Sequence, residues 1–325
     1  MSEICRICGN AAHNLLHTAR EMMLGTQDEF EYLECGACGT VQILDIPDLA
    51  RYYPNDYYSL SDENSFALSS GFKSRLAARF AGKYLVTGNG SIGRYLSKKK
   101  DWILDNFPNS LRELILGLTF ESKILDFGCG NGKLLRTLDY FGFKDLTGAD
   151  AFIAQDIVYP SGIKIYKKPL AEIAAKFDLV MLHHSFEHLP DPVESLSQIH
   201  RILNPNKYCL IRIPLINYPW ELYGVNWVQL DPPRHLFLYT EHSFRHLAES
   251  NGFAVEKIVY DSEIFQFFAS EQYARDISMH DEKAYRGVVE KSIFTAEQIA
   301  QWEIETDELN ATGRGDQACF YLRKI

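Results

Sequence analysis

No run of eighteen or more apolar residues occurs in this chain of 325 residues, so no membrane-spanning helix is expected. The N-terminal MSEICRICGN lacks a basic segment leading into an apolar one, so no secretory signal is expected either. Positive charge is scarce: 33 Lys and Arg stand against 43 Asp and Glu, a formal net charge of -10. Sequence-blind nucleic-acid binding rests on neutralising phosphates with Lys and Arg, so nucleic acid is not the expected partner. Cysteine is sparse too. Seven in a chain this long do not make a disulfide framework, and four of them fall in two C-x-x-C pairs. That usage points to metal in a reducing compartment, the cytoplasm.

What is present suits an α/β enzyme. The hydrophobic fraction of 46% allows a sizeable core, and the length fits one catalytic domain with a small accessory module. The chain divides at this stage into residues 1–45, a connecting segment 46–110, and a catalytic domain 111–325 with an insertion at 261–316.

The first segment reads as a zinc ribbon. Cys5 and Cys8 stand in CRICG, Cys35 and Cys38 in CGACG. Each pair presents two thiolates to one ion, and the glycine after it supplies the positive φ such turns often need. Strand-like residues, Phe30 to Leu33 and Val41 to Leu44, separate the knuckles. Four thiolates close the coordination shell, so the expected zinc is structural. The ribbon carries seven acidic and two basic residues, a poor surface for RNA. The alternative is four unmetallated thiols.

In the connecting segment, RYYPNDYYSL is rich in tyrosine. It could line a site for a sugar or other polar ligand, or pack between domains. From Gly71 to Lys100 there are eight basic residues and no acidic one. Phe72, Leu76, Phe80 and Tyr84 recur at i+4, which predicts an amphipathic helix. Three readings compete for this stretch: a solvated helix face, a site for a phosphorylated substrate, or a membrane-surface contact.

The informative region begins at SKILDF (122–127), a short apolar strand running into GCGNG (128–132) and the helical KLLRTLDYF. Strand, glycine turn and helix form the first unit of a doubly wound sheet. The glycines let backbone N–H groups approach a ligand at a helix N-terminus. A glycine motif alone could equally serve NAD or FAD. Two acids sharpen it: Asp126 at the strand end, and Asp150 closing DLTGAD about twenty residues on, where a carboxylate can accept ribose hydroxyls.

LDFGCGNG, GAD and FDLVMLHHSFEHLPDP together resemble the class I S-adenosylmethionine-dependent methyltransferases over residues 121 to about 260. The resemblance implies that Gly128 and Gly130 pass under the methionine part of the cofactor and that Asp126 orders that loop. It implies that Asp150 takes the ribose hydroxyls, that the Leu170 amide lies near the adenine, and that His183 meets the cofactor at the end of the fourth strand. It also implies a Rossmann-like seven-stranded sheet with helices on both faces. The later segments fit: KYCLIRIP, AVEKIVY and QACFYLRKI as strands, TEHSFRHLAESNGF as a helix. In the 261–316 insertion, EKAYRGVVEKSIFTAEQIAQWEIETDELN reads as helical. It could cover the substrate mouth or make a dimer contact.

Transfer from a sulfonium to a hydroxyl needs alignment and a base for the acceptor's proton. Histidine suits that task. His183, His184, Glu187 and His188 follow strand four, where ligands meet a parallel sheet. Arg234, His235 and Tyr239 follow strand five. His184 and His235 are the base candidates, and Glu187 is expected to cap a turn. A four-cysteine module ahead of this fold is similar to bacterial methyltransferases that modify deoxysugars or cell-surface glycans. The expected enzyme therefore methylates a small molecule or glycan, with a sugar acceptor favoured and oxygen ahead of carbon. Two rivals are an RNA methyltransferase with a zinc finger and an inactive cofactor-binding scaffold.

Overall fold

Short apolar and β-branched runs alternate with helical stretches through the second half of the chain, and the computed structural model folds them as that alternation demands. It describes residues 4–53, 68 and 71–325. In chain order the strands and helices are β1 (Leu15–Arg20), β2 (Glu29–Glu34), β3 (Val41–Ile43), α1 (Phe72–Thr87), α2 (Ser91–Lys99) and α3 (Asp101–Asn106). Then follow β4 (Lys123–Phe127), α4 (Lys133–Phe141), β5 (Asp145–Ala149), β6 (Ile157–Val158), β7 (Lys164–Tyr166) and β8 (Phe177–His183). The last group is α5 (Pro192–Ile202), β9 (Leu203–Pro214), α6 (Tyr218–Tyr223), β10 (Phe237–Leu238), α7 (Glu241–Ser250), β11 (Phe253–Tyr260), α8 (Phe265–Tyr273), α9 (Ala296–Ala311) and β12 (Gln317–Lys324).

The main sheet runs β11-β12-β9-β8-β4-β5-β7-β6. Pairing is parallel from β9 through β8, β4, β5 and β7. It is antiparallel where β12 inserts between β9 and β11. The seven expected strands are all there, with the two-residue β6 added at the edge. Period-two alternation splits each central strand between two cores. Leu125, Phe127, Val180, Leu182, Ile211 and Phe320 face one; Ile124, Leu179, Met181, Leu210 and Tyr321 face the other.

The N-terminal segment does not stand alone. Its strands form a second sheet, β1-β2-β3-β10, whose last strand is Phe237–Leu238 from the catalytic half. The insertion braces the same segment: Arg20 pairs with Asp276 at 2.6 Å, and the Met279 N–H donates to the Met22 carbonyl at 3.2 Å.

Two expectations need correction. The helix over 72–87 forms, but its large apolar stripe faces outward: Phe72 is 80% exposed, Leu76 44% and Phe80 42%. The buried face is small, namely Ala78, Ala81, Gly82 and Val86. This follows from close helix packing. A Cβ on Gly93 of α2 would sit 2.1 Å from the Phe80 carbonyl oxygen, and one on Gly82 would sit 2.7 Å from that of Phe141. Only small residues fit between backbones so near. In the insertion, helix does not run from Glu282. Turns and one short 3-10 segment fill 282–294, and α9 begins only after Thr295, whose hydroxyl accepts from the Gln298 N–H in a capping box.

Candidate functional site

The turn after β4 is built by positive φ. Gly128, Gly130 and Gly132 take +75°, +52° and +74°. At Gly128 a side chain is excluded twice over, by φ and because a Cβ would lie 2.4 Å from that of Ser185. The Gly128 N–H donates to the Ala149 carbonyl at 2.8 Å, which ties the turn to the end of β5. There Asp150 accepts from the Gly130 N–H at 2.9 Å through one oxygen and from the Phe152 N–H at 2.8 Å through the other. Each oxygen keeps a lone pair. Asp126 is buried two residues before Gly128. Burial, and then the charge of Asp150, push its carboxyl up to about 8.

These elements wall a cavity of about 580 Å³, within the range of small-molecule sites. Gly128, Asp150, Leu170 and His183 line it. Gly130 joins that wall through its bond to Asp150, and Asp126 lies behind Phe127. Tyr53, Phe152, His184 and His188 line it too. Tyr53 and Phe152 stack at 5.0 Å and 17°. The tyrosine-rich stretch thus divides: Tyr52 packs against Phe30 and bonds Asp28, Tyr53 lines the cavity, and Tyr57 and Tyr58 lie outside the described residues.

The two base candidates are placed differently. His184 lines the cavity at a left-handed φ of +50°. Its Nε2 accepts from Arg212 at 2.6 Å, and Arg212 also pairs with Asp261 at 2.7 Å. His235 is 6% exposed and lies off the cavity wall, its Nδ1 donating to the Gln229 carbonyl at 2.7 Å. Glu187 connects them: its Oε1 is 3.5 Å from His184 Nδ1 and 3.9 Å from His235 Nε2. Burial raises the Glu187 carboxyl, but His184, His188 and His235 outweigh it and hold it at about 2. The sequence expectation that Glu187 caps the turn is not met: neither of its carboxylate oxygens makes a hydrogen bond among the described residues. The turn has no side-chain cap, and the carboxylate points among the histidines. Burial, then Arg212 and His184, lower His183 to about 3, so its ring is neutral; its Nε2 has no hydrogen-bond partner among the described residues. His188 and Tyr53 were not distinguished by sequence. The doubled histidines of HHSFEH were the only signal, and it does not say which ring turns inward.

The second constellation is the cysteine cluster. Cys5 Sγ lies 3.7 Å from Cys38 Sγ, and Cys8 Sγ 3.5 Å from Cys35 Sγ. A tetrahedron with metal–sulfur bonds of about 2.3 Å sets neighbouring sulfurs roughly 3.8 Å apart. The four sulfurs are thus compatible with a zinc ribbon. Between this cluster and the cavity runs a buried ion network. Arg234, fully buried, pairs with Glu21 at 2.9 Å and grips Asp231 through Nε and Nη2 at 2.9 and 2.5 Å. Burial raises the Asp231 carboxyl, and Arg234, helped by His235 and His188, more than reverses this.

Residues 92–258, just over half of the chain, match the family model described as a methyltransferase domain. Ubiquinone biosynthesis O-methyltransferase of Histophilus somni is 32% identical over 104 residues, 28% of this chain and 43% of that protein. The protein of the same name from Cereibacter sphaeroides is 30% identical over 131 residues, 36% of this chain and 53% of that one. The chain spans about half the length, or less, of these relatives. Among solved structures, a cyclopropane synthase from Mycobacterium tuberculosis aligns at TM-score 0.42 and 16% identity, over 65% of this chain and 80% of that one. A SAM-dependent methyltransferase from Archaeoglobus fulgidus aligns at 0.38 and 18%, over 78% and 100%. The chain belongs to the family described as a methyltransferase domain.

Proposed function

We propose that this enzyme moves a methyl group from S-adenosylmethionine to a hydroxyl oxygen of a small molecule or glycan, with a sugar as the favoured acceptor. One observation carries the reading: a single cavity is lined by the glycine turn and Asp150 together with a stacked aromatic pair and His184. When bound, the cofactor supplies an electrophilic methyl group on a sulfonium. Gly128 and Gly130 give it backbone, Asp126 its charge partner, Asp150 its ribose acceptor, and Leu170 and His183 its flanks. The Tyr53–Phe152 pair offers a flat apolar face of the kind that suits the C–H face of a sugar. His184 Nε2 would take the proton of the acceptor hydroxyl, giving up its bond from Arg212, which keeps Asp261. His235 acts through Glu187. The O-methyltransferase relatives support oxygen as the acceptor atom. The test is transfer of labelled methyl from the cofactor to a panel of nucleotide-linked sugars. A labelled ether supports the reading, and label on carbon, or only on nitrogen compounds or RNA, overturns it.

Asp150→Ala should weaken S-adenosylhomocysteine by about 1–3 kcal/mol, the worth of charge-assisted bonds lost from a buried site. Calorimetry reads this, and unchanged affinity removes the ribose role. The same titration has a pH signature. Asp126, raised to about 8, is protonated at neutral pH, while a cationic ligand selects its carboxylate. Affinity should therefore climb with pH up to about 8, and the climb should vanish in Asp126→Asn.

A zinc ion in the cysteine cluster belongs to the same reading, as a structural group. So does a membrane-surface contact through residues 71–100. The outward stripe of Phe72, Leu76 and Phe80 continues into Ile92 and Tyr95, 56% and 61% exposed. Eight exposed Lys and Arg surround it, with no acid in the stretch. Each basic side chain near an anionic bilayer is worth about 1 kcal/mol. The enzyme should float with phosphatidylserine vesicles at low salt, and Phe72→Glu with Phe80→Glu should abolish this. Failure to float with anionic vesicles removes the contact.

A further inference from the structure

We propose that Glu187, His188 and His235 bind a divalent first-row transition-metal cation beneath the methyl-acceptor cavity. One ligand atom from each lies within 4.8 Å of the other two. Hydrogen bonds decide what those atoms can do. His188 Nδ1 lies 2.8 Å from the Arg234 carbonyl and 3.1 Å from the Tyr53 hydroxyl; His235 Nδ1 lies 2.7 Å from the Gln229 carbonyl. A carbonyl only accepts, so each Nδ1 carries a proton, and in the neutral ring that a metal selects each Nε2 offers its lone pair. This is also how protein-bound metal ions have their histidines held, by a carbonyl on the far nitrogen.

The third member is Glu187, wholly buried, with neither carboxylate oxygen hydrogen-bonded among the described residues. His184 Nδ1 is 3.5 Å away. Arg234 is spent elsewhere, on Glu21 and Asp231. Three ligand atoms therefore converge in a buried place where neither carboxylate oxygen has a hydrogen bond among the described residues, and such a group is costly unless a cation joins it. Two imidazoles with one carboxylate suit manganese, iron, cobalt or zinc rather than calcium. His188 lines the cavity, so the ion has a way in and an open side. There it would stabilise charge developing on the acceptor oxygen; that role rests on the O-transfer reading, whereas the site does not.

The probe is Mn²⁺, which prefers these ligands to thiolates, added to zinc-replete enzyme and followed by electron paramagnetic resonance without turnover. The free-ion signal should fall by one equivalent per chain, and the bound ion should show coupling to imidazole nitrogen. Glu187→Gln and His235→Ala should each weaken binding by more than the 10–100-fold that losing a mere supporting partner costs (about that range). Wild-type enzyme that leaves the free signal unchanged, or that binds without nitrogen coupling, overturns the proposal, and needs no variant to fold. Equal binding in both variants overturns it too. Success here with failure of sugar transfer would leave the site standing and the acceptor wrong.

Discussion

Replacing Arg234 with alanine should lower the free energy of unfolding by about 3–5 kcal/mol, the penalty for stranding a buried charge. Arg234 and Glu21 are both 0% exposed. Glu21 retains the N–H groups of Leu24 and Thr26, but no cation replaces the guanidinium. Asp231 loses both of its bonds at once, at a left-handed φ of +41°. Arg234→Lys should recover only part of the loss, because an ammonium cannot fork across two carboxylates. The pH dependence has a definite sign. With Arg234 present, the Asp231 carboxyl lies below its ordinary value. Its contribution is full above the unfolded carboxylate range and fades as pH falls through the folded value. Wild type should therefore lose stability on acidification more steeply than Arg234→Ala. Chemical denaturation at several pH values reads both effects, and a loss under 1 kcal/mol would mean that water already reaches these charges.

Legibility in the sequence followed the range of the interactions. The turn at 128–132, the acids that flank it and the two C-x-x-C pairs are set by neighbours a few residues apart, and they stand out as spacing. The order of seven strands could be expected because apolar runs and helical stretches alternate plainly from Lys123 onward. What escaped is long-range. Phe237 and Leu238 make a two-residue strand whose partner, β3, is nearly two hundred residues away; nothing local marks it. The outward stripe of α1 defeated periodicity because close packing through Gly82 and Gly93 selects small residues, while an i+4 pattern of large ones looks like a core face. Glu187 reads as a capping acid in E-H-L, and only the fold shows that histidines from two loops surround it.

With the proposed zinc in the cluster, removing it or replacing Cys38 with serine should disturb residues 235–243 as well as the ribbon. The binding energy of a structural zinc is of order 10 kcal/mol and is folding energy where the site does not preform. Here the cluster is wired into the catalytic half. The Cys38 carbonyl accepts from the Thr240 hydroxyl at 2.9 Å, and that same hydroxyl accepts from the Ser243 N–H to cap α7. β3 holds Phe237 and Leu238, and the Tyr32 hydroxyl donates to the His235 carbonyl at 3.0 Å. Freed thiols would repel the close sulfur contacts they now make, and β3 would loosen its hold on 237–238. Metal analysis should give one zinc per chain, lost in Cys38→Ser. Amide exchange should then quicken over 29–43 and also over 235–243. Faster exchange confined to the N-terminal residues would show that the shared sheet does not transmit the metal's hold. A zinc-free enzyme with unaltered exchange would show that the four cysteines hold no structural ion.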